Sequence, residues 1–327
     1  MKVVVIGAKG HIGTYLVPRL VQEGHEVVAI SRCKREPYLD HVAWGQVKVI
    51  QADRSAEDES GTFTEKVTGE RPDAVVDLLC FNTSSAEQLV TSLAPLKSYL
   101  LHCGTIWVHG SAVEVPASEE GSRQPFGDYG VQKAAIEKLL LGEARRGTLP
   151  CTVLHPGHIV GQGWPPLNPA GNFNLKVFEQ LANGEELVLP NFGLETVHHV
   201  HADDVAQAFS KALLHPAAAS GESFHVTSER ALTLRGYAEA VSGWFGQVPR
   251  LSFRPWEAWA SSFEETDAEA TWEHIARSPS MSIDKAKKVL GYKPRYTSLE
   301  GVFESVAWLI AKGRINVGGR KLSFSAS

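Results

Sequence analysis

"KVVVIGAKGHIG", residues 2–13, carries an apolar β-branched run (Val3, Val4, Val5, Ile6) straight into three glycines spaced GxxGxxG, at Gly7, Gly10 and Gly13. A run without polar alternation suits a strand covered on both faces, as in a parallel sheet. Glycines between that strand and the helix that follows permit a tight turn. They also let backbone N–H groups approach a pyrophosphate, with the positive end of the helix beneath it. A structural turn without a ligand uses the same glycines, so the rest of the chain has to decide.

The same grammar repeats downstream. Strand-like runs lie at 26–31, 47–53, 74–79, 98–103 and 151–156, with helix-like stretches at 11–23, 84–94 and 128–145. Strand and helix in alternation predict a doubly wound α/β architecture. After Gly161 the pattern breaks at "GWPPLNPAGN". A helix at 175–184, a short strand "HHVHA", a helix "DDVAQAFSKALL" and a strand "SFHVT" follow. The chain of 327 residues holds 43% hydrophobic residues, enough for a substantial core, and its net charge of −5 gives no reason to expect a nucleic-acid partner. Its four cysteines (Cys33, Cys80, Cys103, Cys151) form no CxxC pair and read as reduced thiols. No basic segment followed by a long apolar one opens the chain, and no run is long enough for a bilayer. The expectation is a cytoplasmic protein with no membrane partner.

Several further stretches stand in one order: "CGTIWVHG", "FGDYGVQKAAIEK", "VHHVHADDVAQAF" and "SIDKAKKVLGYKP". Together with the glycine loop they resemble the extended branch of the short-chain dehydrogenase/reductase superfamily, the NAD(P)-dependent epimerase/dehydratase family, over about residues 1–312. The resemblance implies a doubly wound parallel-sheet Rossmann fold. Residues 1–163 would bind the dinucleotide, with 197–228 returning to that domain. A smaller, mainly C-terminal α/β substrate region would take 164–196 and 229–315, and 316–327 reads as a loose tail. It also implies a homodimer through the helix bearing Tyr129 and its neighbour. The family's Tyr-Gly after the serine/threonine segment is replaced by His109-Gly110, and His155 stands where the family often has Arg.

Cofactor contacts are expected at Gly7, Lys9, Gly10, His11, Ile12 and Gly13, at Leu79 and Cys80 after the fourth strand, and at Pro156, His158 and Ile159 along the nicotinamide. A loop histidine of purely structural role fits His158 equally. After the second strand, where many NAD enzymes carry an acid, stands Ser31, followed by Arg32, Lys34 and Arg35. A hydroxyl with guanidinium groups suits the extra phosphate of NADP. NADP(H) is therefore the expected cofactor, with NAD(H) as the alternative and Glu36 partly offsetting the charge. Asp53 suits an adenine contact or a turn.

Tyr129 and Lys133, four apart, supply the chemistry the resemblance implies, with Thr105 orienting the substrate oxygen. A tyrosine that exchanges a proton near neutrality must lose three pKa units, roughly 4 kcal/mol. An ammonium about 4–5 Å away supplies on the order of 3–4 kcal/mol at an effective dielectric near 20. Ile106 and Trp107 occupy the place of the acidic pair used by the family's 4,6-dehydratases, which excludes that reaction. Asn174 matches a substrate-diphosphate contact of the epimerases, but the matching Arg is missing and Glu195 stands nearby. Phe81, Trp107, Trp164 and Phe173 are candidates for a substrate wall, or for plain core. The "HHVHADD" stretch is read as a strand entering a helix, with no metal. The leading function is NADP(H)-dependent interconversion of a carbonyl and an alcohol on a small molecule. A sugar or sugar-nucleotide epimerase with retained cofactor is the alternative, and a non-catalytic dinucleotide-binding regulator a third.

Overall fold

The computed structural model describes residues 1–324. Its strands are β1 (Lys2–Ile6), β2 (Glu26–Ser31), β3 (Lys48–Gln51), β4 (Ala74–Asp77), β5 (Tyr99–Cys103), β6 (Cys151–Pro156), β7 (His158–Val160), β8 (Leu187–Pro190), β9 (Thr196–Val197), β10 (His199–His201), β11 (Ser223–Val226), β12 (Leu232–Thr233) and β13 (Leu251–Arg254). Seven of them form one sheet in the order β11-β6-β5-β4-β1-β2-β3, every pair parallel. Successive residues explain why both faces need cover. Val3 and Val5 join Leu16, Val17 and Leu20 of the helix His11–Gln22, and Phe209 of the helix Ala202–Leu214. Val4 and Ile6 join Leu89 of the helix Thr83–Leu93, and Ile136 and Leu140 of the helix Asp128–Arg146. Each fully buried aliphatic side chain contributes about 1.5–3 kcal/mol.

The chain reverses direction across the sheet between β1 and β4, and the crevice outside their carboxyl ends is where such sheets hold ligands. A third core lies beyond the sheet, built on Phe178, Leu181, Leu187, Tyr237, Trp244, Trp259, Val302 and Leu309. β7 pairs with β10 outside the main sheet, and β8 pairs with β13. The expectation of a loose tail is corrected over 316–324. Phe324 sets its ring against Phe303 at 5.1 Å, and the Ser323 N–H donates to the Trp244 carbonyl at 2.9 Å. Trp244, at the end of the helix Leu234–Trp244, and Phe303, on the last helix, leave an apolar ledge that this stretch covers. Residues 325–327 of that expectation lie outside the described residues.

Candidate active site

Gly7 holds φ +84°, and a Cβ there would fall 2.7 Å from Leu79 Cγ. A Cβ at Gly13 would fall 2.1 Å from the Ala8 carbonyl oxygen, so the helix His11–Gln22 sits directly on the loop. No side chain caps that helix at Gly10, which leaves its first N–H groups for an anion. The loop borders a cavity of about 430 Å³. Gly7, Lys9 and Gly10 form one lip, Ser31, Arg32, Lys34 and Arg35 the adjoining wall, and Asp53, Leu79 and Phe81 the rest. The donor set fits a dinucleotide: free helix N–H groups, a glycine cradle and three cations on one wall.

The electrostatics of that wall bear on the ribose phosphate. Lys9 Nζ pairs with Glu36 at 3.0 Å, so Glu36 is taken up by the loop lysine and not by the arginines. Arg32 and Arg35 have no ion-pair partner among the described residues. Arg35 lies 4.3 Å over the Tyr38 ring, and burial and the Arg32 charge both depress its pKa. An anion between two guanidinium groups relieves that repulsion.

The helix N–H groups on offer are those of His11, Ile12 and Gly13, while several side chains of expected contacts point elsewhere. His11 is turned into an aromatic cluster, stacked on Trp164 at 5.5 Å and edge-on to Tyr38 at 5.9 Å. Burial pushes its imidazole down to about 3, and it does not line the cavity. Ile12 belongs to the core. Cys80 is wholly buried, its thiol pushed up to about 12 by desolvation. Pro156 ends β6, while His158 and Ile159 lie in β7, outside the cavity wall. Both ring nitrogens of His158 lack partners, and the ring meets those of His199 and His274 at 5.8 and 5.1 Å.

The helix Asp128–Arg146 is built from strong helix formers and stops at Gly147, φ +74°, after Arg145 and Arg146 complement its dipole. Tyr129, Lys133 and Glu137 share one of its faces. Thr105, just past β5, accepts the Trp107 N–H at 3.3 Å and so caps the turn Ile106–His109. A hydroxyl has two lone pairs and a proton, and Thr105 also acts on the Tyr129 phenol, opposing the rise of its pKa. The expected turn role and the expected site role are thus compatible.

Lys133, expected to tune Tyr129, also has a partner of its own. Lys133 is buried, and its Nζ donates to the Cys103 carbonyl at 2.7 Å, 5.8 Å from the Tyr129 ring centre. Tyr129 keeps 41% of its surface exposed, yet desolvation pushes its phenol up, Cys103 adds to the rise, and Thr105 opposes it. Burial correspondingly lowers Lys133. The protein's own groups therefore hold Tyr129 protonated.

Around Tyr129 stand Phe81, with rings 6.4 Å apart, and Trp107, edge-on at 5.7 Å. Trp107 is in turn stacked on Arg277 at 3.7 Å and edge-on to His274 at 5.2 Å, and Phe173 meets His274 at 5.4 Å. Trp164 is not part of this wall, since its ring lies on His11. Asn174, expected at a substrate diphosphate, has partners within the protein. Its Nδ2 donates to Asp267 at 2.7 Å and its Oδ1 accepts the Lys176 N–H at 3.1 Å, so both ends of the amide are engaged. Glu195 accepts from Asn191. In "HHVHADD", His201 stacks on Tyr296 at 3.9 Å, Asp203 pairs with Arg19 at 2.7 Å, and Asp204 accepts the Arg295 and Tyr296 N–H groups.

Sequence reasoning missed Arg54, Glu137, Arg123 and Arg277. Arg54 lines the cofactor cavity and grips Asp77, at the end of β4, at 2.7 and 2.8 Å. Glu137 was legible as the next turn after Lys133. Arg123 and Arg277 lie in segments with no motif to flag them.

Comparison with known proteins gives the family. The model of the NAD dependent epimerase/dehydratase family matches residues 3–227. A 2'-dehydrokanamycin reductase of Streptomyces kanamyceticus is 26% identical over 321 residues, covering 96% of this chain and 86% of its own. The chloroplast stem-loop binding protein of 41 kDa b of Arabidopsis thaliana is 26% identical over 322 residues, covering 93% and 78%. Among solved structures, the UDP-glucose 4-epimerase of Thermotoga maritima superposes with a TM-score of 0.72 at 20% identity, over 95% of this chain and 99% of that one. The chain belongs to the NAD dependent epimerase/dehydratase family and is an NAD(P)-dependent enzyme.

Proposed function

We propose that this family member interconverts a carbonyl and an alcohol on a small molecule, with NADP(H) as its preferred cofactor. The observation that carries the reading is the joint placement of Tyr129, Thr105 and buried Lys133 around one strand end, with Phe81 linking them to the cavity of the glycine loop. When bound, the nicotinamide supplies or accepts a hydride. Gly7, Gly10 and the helix N-terminus hold the pyrophosphate, and Ser31, Arg32 and Arg35 hold the ribose phosphate. Thr105 fixes the substrate oxygen by a hydrogen bond, and Tyr129 delivers a proton to that oxygen as negative charge develops on it. A phenol held protonated by burial is in the state reduction requires. The reductase name of one relative supports that direction.

The substrate we infer carries no nucleotide diphosphate. Asn174 is already engaged by Asp267 and Lys176, and Glu195 has the wrong sign for phosphate. Trp107, Phe81 and Phe173 instead favour the flat faces of a sugar ring or an aromatic carbonyl compound. The net charge of −5 argues against a nucleic-acid ligand. The test is NADPH consumption by the purified chain against a panel of keto-sugars and aromatic ketones. Tyr129→Phe should lower kcat by about 10²–10⁴ with NADPH affinity unchanged. Turnover close to that of the parent chain removes Tyr129 from the mechanism, and isomerisation by a tightly retained cofactor with no net NADPH loss replaces the reading with an epimerase.

A further inference from the structure

Behind Thr105 runs a line of buried polar side chains that the proposed chemistry does not use. The Thr105 N–H donates to His155 Nδ1 at 3.0 Å, and His155 Nε2 lies 2.9 Å from Glu137 Oε1. An Nδ1 that accepts carries no proton, so the ring's proton sits on Nε2 and is donated to the carboxylate. Arg123 grips the same carboxylate with two parallel bonds, Nε to Oε2 and Nη2 to Oε1, each 2.9 Å. The side chains of His155 and Glu137 are 0% and 6% exposed. Burial alone favours a neutral Glu137, but His155 and Arg123 hold it ionised, well below the usual carboxylate range.

The geometry around Gly104 shows what this line controls. A Cβ on Gly104 would fall 2.4 Å from His155 Nδ1, so ring and strand end are in direct contact. On one side of Gly104, Lys133 holds the Cys103 carbonyl; on the other, Glu137 acting through His155 holds the Thr105 N–H. One face of the helix bearing Tyr129 thus fastens the strand end at two backbone points, one residue apart on either side of the glycine.

We propose that the His155–Glu137 pair is a positioning unit that presents the Thr105 hydroxyl to Tyr129 and to the substrate oxygen. The ionised Glu137 selects the Nε2–H tautomer, and only that tautomer offers Thr105 an acceptor. With Glu137→Gln the carboxamide no longer selects a tautomer, and a proton on Nδ1 would face the Thr105 N–H, donor against donor. The strand end then moves, and the hydroxyl with it. A displacement of about 1 Å from a residue outside the chemistry costs on the order of a hundredfold in rate.

The inference rests on Thr105 serving as the substrate-orienting hydroxyl, and a double-mutant cycle separates the two claims. The full-length chain is assayed with NADPH and the ketone of the panel that it reduces fastest. Glu137→Gln should lower kcat about a hundredfold, with KM for NADPH essentially unchanged. In a Thr105→Ala background the same change should cost little further. An equal loss in both backgrounds overturns the positioning role and leaves Thr105 in place. Full turnover by Thr105→Ala itself overturns the role of Thr105, and this inference with it. Where Glu137→Gln does not fold, imidazole ¹⁵N shifts of the unsubstituted chain, assigned with His155→Gln, decide the matter. A protonated Nε2 with a bare Nδ1 supports the unit, and a proton on Nδ1 refutes it.

Discussion

Arg32→Ala should weaken NADPH binding and leave NADH binding where it was. Arg32 is exposed, free of ion pairs among the described residues, and shares a cavity wall with Ser31 and Arg35. Its guanidinium can meet the ribose phosphate with a charge-assisted pair of bonds, typically about 1.5–3 kcal/mol. That converts to roughly a ten- to hundredfold rise in Kd for NADPH. Ser31→Asp acts on the same group by repulsion. Two unit charges 4 Å apart repel by about 4 kcal/mol at an effective dielectric of 20, and screening at an exposed wall reduces that. The Ser31 hydroxyl is buried and accepts the Cys33 N–H at 3.3 Å, a bond an aspartate oxygen can keep, so the loop should survive the change. Nucleotide fluorescence titrations at fixed ionic strength give both dissociation constants. If Arg32→Ala changes the NADPH and NADH values by the same factor, the guanidinium does not hold the ribose phosphate and the NADP preference loses its basis.

Two further outcomes concern stability. Arg54→Met leaves Asp77, 2% exposed, without its cation, and should cost about 3–5 kcal/mol in urea unfolding; adding Asp77→Leu should recover most of that, and a loss below about 1 kcal/mol for the single change contradicts the argument. Burial pushes His198 down to about 4, and its Nδ1 accepts the Met281 N–H while Nε2 donates to the Ser228 carbonyl, so the folded ring is neutral. With a folded pKa below the unfolded 6.5, its contribution is complete above pH 6.5 and fades as pH falls toward 4, by about 2 kcal/mol at pH 5. His198→Asn should flatten the decline in urea midpoint between pH 7 and 5, and an unchanged slope shows that His198 does not titrate there.

What could be read from the sequence follows the range of the interaction. The sheet was legible because a strand buried on both faces leaves its mark within five residues, as in Val3–Ile6. Tyr129 and Lys133 were legible because one helical turn separates them. The partner of Asn174, Asp267, is 93 residues away, and nothing local announces it. The stacking of His11 on Trp164 is hidden for the same reason: it joins the first helix to a loop past the seventh strand.

Lys133 shows a limit of another kind, and it bears on the chemistry. One helical turn sets its spacing from Tyr129, and a charge at that range has the right energy. A buried ammonium, however, must also satisfy its own donors, and the nearest acceptor is the Cys103 carbonyl at 2.7 Å. That bond fastens Lys133 to the strand end. The same demand explains Glu137: a buried carboxylate must find donors, and it finds His155 and Arg123. Lys133 thus bonds the strand end that carries Thr105 directly, and Glu137 reaches it through His155. In the protein alone Lys133 is therefore one of two anchors for that strand end, besides the role proposed for it beside Tyr129.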